Sequence, residues 1–249
     1  AELYHRHGCG LQIGGSDQWG NITGGIDLTR RLHGGQVFGL TLPLVTKADG
    51  TKFGKTESGT VWLDASRTSP YAFYQFWLST ADADVYRFLR YFTFLPVAEI
   101  DAIERADAER TGRPEAQRIL AREVTQLVHG DEGLSAAMHI TEALFSGDAA
   151  ALGETDLQQL ALDGLPSSQL DRNDLPPTLT QLLAQVGLAA GKQIKDALAR
   201  EAVLINGQPV NGGPTVTSED ALPVERALHG RFYLVRFGKK KYHLLIDGA

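Results

Sequence analysis

The chain is poor in several residue types, and each scarcity excludes a class of protein. Its 249 residues contain one cysteine and one methionine. A single cysteine cannot form an internal disulfide, so a disulfide-stabilised secreted fold is excluded and a reducing compartment, the cytoplasm, is predicted. No apolar run approaches the length of a membrane-spanning helix, and the first residues lack the pattern of a signal peptide. We therefore expect no membrane association.

What is present is ordinary globular material, with 43% hydrophobic and 22% charged residues and a length that favours more than one domain. The net charge of −6 argues against a nucleic-acid partner only if the charge is evenly spread. It is not: residues 65–176 carry 9 basic and 18 acidic groups, whereas residues 177–249 carry 9 and 6. The sequence therefore predicts a basic C-terminal module that can bind RNA.

The most informative segment is rich in lysine and glycine, and we call residues 47–56 the lysine loop. Its lysines and its last hydroxyl are Lys47, Lys52, Lys55 and Thr56. Glycines let the backbone approach a ligand and lysines supply movable positive charge, which suits the phosphates of a nucleotide. A P-loop is disfavoured, because only three residues separate Gly50 from Gly54 and no helix pattern follows. These residues alone leave an exposed basic hairpin as the alternative.

A segment upstream predicts a strand, a glycine pair and a helix. The residues from Leu11 predict a short buried strand that stops at two glycines, after which a helix begins with Ser16 or Asp17 as its N-cap and ends at Gly34. A strand end beside a helix N-terminus forms the nucleotide pocket of open α/β sheets, because free backbone amides favour anions. Asp17 and Gln18 would point polar groups into that pocket. A tight connection without a ligand is the alternative.

The two segments together resemble the bacterial tyrosyl-tRNA synthetases. The strand and helix segment reads Leu11-Gln-Ile-Gly-Gly-Ser-Asp-Gln-Trp-Gly-Asn21, and Lys52-Phe-Gly-Lys55-Thr56 is similar to the class I signature written KMSKS. The resemblance runs over essentially the whole chain. It implies a multidomain fold, α/β plus α plus α+β. The expected order is the C-terminal part of a Rossmann-like class I domain (1–66), an α-helical anticodon-side domain (67–150), a linker (151–176) and a small RNA-binding domain (177–249).

The resemblance also implies roles for single residues. Gly15 and Asp17 would lie at the adenosine ribose and Gln18 at the tyrosine carboxyl group, while Gln12 would line the same tyrosyl-adenylate site. The ATP phosphates would be stabilised by Lys47, as a substrate-binding residue, and by the catalytic residues Lys52, Lys55 and Thr56. Carboxylate attack on the α-phosphate needs no protein nucleophile, so positioning and cationic stabilisation supply the catalysis. We expect Mg²⁺ to arrive with ATP as substrate and no cofactor to be tightly bound.

Two family features do not occur in this sequence. The His-Ile-Gly-His signature is absent, and so are the usual contacts to the phenol of tyrosine. A complete class I nucleotide fold also needs at least four or five parallel strands, and residues 1–64 predict about two. We therefore expect the chain to be the C-terminal portion of a longer synthetase that is inactive as this fragment alone and homodimeric in full length.

A metal site near the start of the chain is a competing hypothesis. His5, His7 and Cys9 would lie on one face of an extended segment, as metal ligands could. No fourth ligand is evident nearby, and the spacing is not that of a common zinc site. A loop that precedes the strand is preferred, and no metal site is predicted.

The middle of the chain predicts helices. Ser69 and Pro70 read as a cap followed by proline at the first helical position, and further helices are predicted to end at Gly130 and Gly147. The aromatic residues that follow Pro70 are predicted to form a core rather than a platform for stacking bases. Residues 151–176, rich in Asp, Ser, Pro and Gly, predict a poorly ordered connection.

The last module is predicted to fold independently. Two helices, a turn at Asn206-Gly207 and a basic closing hairpin resemble a small RNA-binding domain that bacterial tyrosyl-tRNA synthetases share with a ribosomal protein and pseudouridine synthases. The resemblance implies RNA contacts at Lys192, Lys195, Arg236, Lys239, Lys240 and Lys241. Glu201 and Phe237 depart from the family's usual Gly and Arg. A hairpin tip kept soluble by lysines is the alternative.

The leading functional hypothesis is a tyrosine–tRNA ligase whose partners are tRNA(Tyr), tyrosine and ATP. The first alternative is an RNA-binding protein that does not activate an amino acid. The second is a related class I synthetase for tryptophan. It fits less well, because that relative normally lacks the RNA-binding tail and the Phe-Gly pair inside the lysine loop.

Overall fold

The computed structural model describes residues 1–51, 53, 55–56, 59–112, 114–239 and 241–248, with the backbone alone at 55, 56 and 59. The chain divides into two compact units. Unit 1 is Ala1–Thr60 and unit 2 is Val61–Ala249.

Unit 1 is a small α/β arrangement. Its elements are α1 (Glu2–His7), β1 (Leu11–Gly15), α2 (Trp19–His33), β2 (Phe38–Leu42), β3 (Lys55–Thr56) and β4 (Gly59–Thr60). Strands β1 and β2 are parallel, with Leu11 opposite Phe38, and β3 and β4 form an antiparallel pair. Helix α2 connects the two parallel strands and packs on the sheet through the buried Ile22.

The structure confirms the predicted end of α2 and corrects two other expectations. Gly34 adopts the left-handed conformation, with φ 63°, that ends a helix. Ser16 and Asp17 lie in a 3-10 turn rather than at a cap, and Gln18 stands at the N-cap without a side-chain hydrogen bond. The expected buried strand is wrong for unit 1, since Leu11 is 55% exposed. In the described part of the chain, β2 is the strand that pairs with β1, and α2 covers one face.

Unit 2 begins with a helical layer. Its helices are α3 (Pro70–Leu78), α4 (Asp82–Phe92), α5 (Val97–Glu109) and α6 (Ala116–Ser146). The predicted cap is confirmed, because Ser69 Oγ accepts a hydrogen bond from Ala72 N at 3.1 Å ahead of α3. The aromatic residues of α3 are core, as predicted: Tyr71, Phe73, Tyr74 and Trp77 are buried. Non-helical backbone interrupts α6 at Gly130, and the left-handed Gly147 ends it.

Residues 151–176 are more ordered than the linker that the sequence predicts. They contain α7 (Glu154–Gln159), a π-helical turn (Leu160–Gly164) and β5 (Ser167–Leu170). Leu157 and Leu160 are fully buried, and Asp163 Oδ2 accepts a hydrogen bond from Ser69 N at 3.0 Å. This segment is anchored because Leu157 and Leu160, three residues apart, lie on one face of a helical turn and share a core with Tyr71 of α3.

The C-terminal part forms a five-stranded sheet in the order β5-β9-β8-β6-β7. The elements that follow β5 are α8 (Leu179–Gln185), α9 (Gly191–Ala199), β6 (Val203–Ile205), β7 (Gln208–Pro209), α10 (Ser218–Ala221), β8 (Phe232–Phe237) and β9 (Lys241–Asp247). Strand β5 runs parallel to β9, and the other neighbours are antiparallel. The predicted Asn-Gly turn joins β6 to β7, and the predicted basic hairpin joins β8 to β9.

Each face of this sheet carries its own core. On one face, Tyr233 and Val235 of β8 pack with α8 and α9. On the other, Phe232 and Leu234 pack with Tyr71, Ile140 and Ala143 of the helical layer. The side chains of β8 alternate between two faces and so enter two cores, and one of these includes residues of the helical layer. Independent folding of the last module stays a prediction. Unit 2 consists of helices, sheet and helices in three layers.

Candidate functional site

The carboxyl end of β1 brings three of the predicted site residues together. Gly15 ends the strand, and the 3-10 turn that follows presents Asp17 and Gln18, both exposed. Gln18 Nε2 donates to Asp17 Oδ2 at 3.2 Å, and Asn21 Nδ2 donates to Gln18 Oε1 at 3.0 Å. Asn21 was not predicted as a site residue. Its position three residues after Gln18, on the first turn of α2, is the signal that could have found it.

The two glycines leave space at the junction for neighbouring side chains. A Cβ at Gly15 would lie 2.6 Å from Asp17 Oδ1 and 3.0 Å from Leu44 Cδ2. A Cβ at Gly14 would lie 3.3 Å from both Gln18 Cβ and Ile22 Cδ1. Gly15 thus leaves room for the Asp17 carboxylate close to the backbone.

Gln12 lies on β1, three residues before Gly15. It alternates with Ile13 along β1, and it lines a cavity of about 60 Å³ that is also lined by Tyr4, Ile22 and Thr29. The cavity lies on the α2 side of the sheet, where the apolar core of unit 1 is formed. Its predicted role in the adenylate site stays a prediction.

The start of the lysine loop is a tight turn. Lys47 N donates to Thr51 O, Gly50 N donates to Lys47 O, both at 2.9 Å, and Gly50 has φ 82°. Asp49 Oδ1 accepts from the Thr51 hydroxyl at 2.6 Å, and this bond lowers the pKa of the carboxyl. The turn holds Lys47 half-buried at its first position.

The catalytic residues predicted from the lysine loop cannot be placed as side chains. Lys52 lies outside the described residues, as do the side chains of Lys55 and Thr56. The backbone of these last two residues forms β3, paired with Gly59 and Thr60. Their predicted roles at the ATP phosphates stay predictions.

The residues considered as metal ligands do not lie on one extended segment, as the metal hypothesis requires. His5 and His7 lie in helix α1 rather than in an extended segment or a loop, and Cys9 follows it, exposed. The His5 ring stacks on His33 at a centroid distance of 4.8 Å. Across the described ranges, no group of three or more His, Cys, Asp or Glu residues is placed to hold a metal.

The basic positions of the C-terminal part fall into two environments. Lys192 and Lys195 lie exposed on α9, and Lys239 and Lys241 lie exposed at the tip of the β8–β9 hairpin. Lys240 is outside the described residues. Arg236 is half-buried instead, with its guanidinium against Gly147 at the end of α6.

These arrangements suit different chemistry. An exposed carboxylate next to a fixed amide at a strand end can accept hydrogen bonds from a pair of hydroxyl groups, as in a ribose, while the first amides of α2 favour an anion. Exposed lysines on a helix and a hairpin tip suit a phosphate backbone. No helix in the described part of the chain is long and apolar enough to cross a membrane.

Two family models match this chain in succession. Residues 2–146 match tRNA synthetases class I (W and Y), and residues 156–245 match the tyrosine–tRNA ligase SYY-like C-terminal domain. The first match covers more than half of the chain.

Curated relatives match almost all of the chain at high identity. A tyrosine–tRNA ligase of Aliivibrio fischeri is 60% identical over 239 residues, which are 96% of this chain and 54% of the relative. Those of Aeromonas hydrophila and Dechloromonas aromatica are 56% and 57% identical, over 98% of this chain and 56% of each relative. The chain thus spans about half the length of the curated relatives that it matches.

A solved structure also aligns with part of the chain. The C-terminally truncated mitochondrial tyrosyl-tRNA synthetase of Coccidioides posadasii covers 55% of this chain and 40% of its own, with 34% identity and a TM-score of 0.46.

Proposed function

Since this chain belongs to the tRNA synthetases of class I (W and Y), we propose that it forms part of a tyrosine–tRNA ligase, which activates tyrosine with ATP and transfers it to tRNA(Tyr). The observation that carries the proposal is the order of the two family matches along one chain. The relatives at 54–60% identity are tyrosine–tRNA ligases, so a synthetase for tryptophan and an RNA-binding protein without activation are not favoured.

We infer that the end of β1 holds the adenylate. Asp17 would accept hydrogen bonds from the ribose hydroxyls, and Gly15 leaves room for the nucleoside to approach the backbone. Gln18, whose amide is oriented by Asn21 at 3.0 Å, would meet the tyrosine carboxyl group. Gln12 stays a candidate for the same site, although it lines the cavity beneath α2.

The lysine loop would bind and stabilise the phosphates of ATP. Lys47, Lys52, Lys55 and Thr56 are the residues assigned to this role. Charge develops on the α-phosphate and on the departing pyrophosphate, so cations that reach the transition state supply most of the stabilisation. Mg²⁺ would enter with ATP and keep most of its water.

The C-terminal part would bind tRNA(Tyr) through exposed lysines. Lys192, Lys195 and the hairpin tip, Lys239 to Lys241, are assigned to phosphate contacts. Arg236 is left out of this set because its guanidinium lies against Gly147. The layout 1–66, 67–150, 151–176 and 177–249 remains the proposed division by role, for a cytoplasmic enzyme that is a homodimer in full length.

A chimera tests the proposal. This chain replaces the matching 239 residues of the Aliivibrio fischeri ligase. We expect the chimera to form tyrosyl-adenylate and to charge tRNA(Tyr), whereas the 249-residue chain alone gives no tyrosine-dependent pyrophosphate exchange. In the chimera, Lys55→Ala should slow adenylate formation by about 10²–10³, with tyrosine affinity nearly unchanged.

The matched control is Arg31→Ala, which removes an exposed cation from α2 of the same unit and should leave the rate unchanged. A folded chimera that forms no tyrosyl-adenylate would contradict the proposal. An unchanged forward rate in Lys55→Ala would remove that lysine from the mechanism.

A further inference from the structure

The hairpin of β8 and β9 contacts the helical layer close to its basic tip. Arg236 and Tyr242 are cross-strand partners, so their side chains leave the same face of the sheet. Tyr242 Oη donates to Leu144 O at 2.6 Å, and the Arg236 guanidinium lies beside Gly147. One cross-strand pair, Phe237 with Lys241, separates Arg236 and Tyr242 from the turn at Gly238 and Lys239. Arg236 and Tyr242 are therefore the residues nearest the tip that contact α6.

Glycine makes this contact possible on the helix side. A Cβ at Gly147 would overlap Nη1 of Arg236 and would lie 3.3 Å from its Cζ. Gly147 has φ 80° and ψ 15° at the C-cap of α6, where the helix dipole favours a cation. Gly207 approaches from the β6–β7 turn, since a Cβ there would lie 3.3 Å from Gly147 O. The cavity that remains between these elements is about 10 Å³, roughly one water-sized sphere.

The environment of Arg236 differs from that of the lysines at the tip. Its Nε is buried and has no hydrogen-bond partner among the described residues, whereas Lys239 and Lys241 are exposed. A guanidinium that binds a phosphate through two N–H donors needs those donors to be accessible. The guanidinium of Arg236 lies instead beside Gly147, at the C-terminal end of α6.

Other contacts hold the sheet in place behind this pair. His229 Nε2 lies 3.0 Å from Leu152 O, and the core on this face contains Tyr71 and Phe232. Burial raises the pKa of Tyr71 to about 12, and the neighbouring Tyr242 adds to the rise. Loss of the Arg236 contact should therefore free the tip of the hairpin without unfolding unit 2.

We propose that Arg236 is a positioning residue, which fixes the lysine tip on α6 so that tRNA meets the tip and the helical layer as one rigid surface. The proposal rests on the proposed function for its RNA partner. It assigns Arg236 no phosphate contact of its own.

The test uses two variants of the 249-residue chain that disturb the same contact in different ways. Arg236→Gln removes the charge, while Gly147→Ala displaces the guanidinium and leaves every charge in place. The matched control is Gly187→Ala, because Gly187 has φ 75° and a Cβ there would meet nothing within 4 Å. Lys239→Ala serves as the variant that removes one exposed cation.

Binding of transcribed tRNA(Tyr) is measured across a salt series. We expect Arg236→Gln and Gly147→Ala each to weaken binding by about tenfold, and the double variant to be no weaker than either, because both break one contact. Their slopes of log affinity against log salt should match the parent. Lys239→Ala should lower the slope by about 0.7–0.9. If Arg236→Gln lowers the slope by that amount while Gly147→Ala binds like the parent, Arg236 contacts phosphate and the positioning role is wrong.

Amide hydrogen exchange of residues 237–241 separates this proposal from the proposed function. We expect faster exchange at the tip in Arg236→Gln and Gly147→Ala, and parent-like exchange in Gly187→Ala, whether or not tRNA is present. If the parent chain binds no tRNA but the tip still loosens, the positioning role stands and the RNA partner is wrong. Unchanged exchange in both variants would overturn the positioning role.

Discussion

The two units of this chain bury their apolar residues to very different degrees. Among the described residues of unit 1, Ile22 is the buried apolar side chain, and strands β1 and β2, helices α1 and α2 and the segment after β2 expose large ones. The exposed group is Leu3, Leu11, Ile13, Trp19, Leu28, Leu32, Phe38, Leu40, Leu42 and Leu44. Unit 2 has a packed core on each face of its sheet, and further apolar side chains are buried within its helical layer.

The difference teaches that the geometry of a site and the rigidity of a site have separate causes. The turn at Gly15 and the hydrogen bonds from Asn21 to Gln18 to Asp17 are local, so a two-stranded sheet can form them. The activity proposed for this site would also require that these side chains be held by a packed shell. Two parallel strands with one helix do not supply it, because parallel sheets are stable when both faces are covered.

The largest expected effect on stability comes from removing the helical layer and β5, which leaves residues 177–249 as a separate fragment. Residues 177–249 alone lose β5 and the helical cover of Phe232, Leu234, Leu244 and Ile246. Exposure of four such side chains costs about 6–12 kcal/mol, as much as a domain's whole stability. We expect 61–249 to melt cooperatively by circular dichroism and 177–249 to show no cooperative transition. Similar melting temperatures for the two fragments would mean that the helical face is dispensable.

A second large effect is expected at a buried ion pair within unit 2. Arg172 Nε contacts Asp247 Oδ2 at 2.6 Å, and the Asp247 side chain is 5% exposed. Arg172→Ala leaves that carboxylate buried without its cation and should lower the free energy of unfolding by about 3–5 kcal/mol in urea titrations. Arg90→Ala is the control. Its partners Asp101 and Glu104 are about half exposed, and the expected loss is below about 1 kcal/mol.

The pH dependence of unit 2 should follow its buried histidines. Burial lowers the pKa of His243 from its ordinary 6.5, and the same cause lowers that of His129. The unfolded chain therefore binds more protons than the folded one just below pH 6.5, so the free energy of unfolding falls as the pH falls from about 7 toward 5. His243→Gln should reduce that slope in urea titrations at several pH values, and His129 should preserve part of it. A slope equal to that of the parent would show that His243 does not contribute.

The smallest effect is expected at the end of α9, where the sequence departs from its family. Glu201 has φ 52°, the left-handed conformation that favours glycine. Glu201→Gly should raise the free energy of unfolding by about 0.5–1 kcal/mol, because relief of the strain exceeds the entropy that glycine adds to the unfolded chain. Glu201→Ala removes the charge but keeps the strain, so it should bring no such gain. Equal stabilisation by both variants would point to charge rather than backbone.

Local features were predictable from the sequence. Capping at Ser69, the helix ends at Gly34 and Gly147, the interruption of α6 at Gly130 and the turn at Asn206 follow from side-chain and backbone preferences within a few residues. Pairing of β5 with β9 was not predictable, since it joins Ser167 to Leu244 across the whole C-terminal part. A strand of four residues with three polar side chains gives no periodic signal.

The candidate site divides in the same way. Asp17 and Gln18 were found because a glycine pair at a strand end marks them, whereas Asn21 became visible only when its hydrogen bond placed it. Arg236 was assigned to RNA by its resemblance to the basic positions of the small RNA-binding domain. Its contact with Gly147 depends on the meeting of two distant elements, which composition does not reveal.

Amide hydrogen exchange of the intact 249-residue chain tests the contrast between the two units most directly. Amides of β8 and β9 should exchange only through global unfolding of unit 2, because both faces of β8 are buried in cores. Those of β1 and β2 should exchange faster by several orders of magnitude, through local opening of a two-stranded sheet with exposed apolar side chains. Equal protection of β1 and β8 would contradict the account, since it would mean that unit 1 is as firmly packed as unit 2.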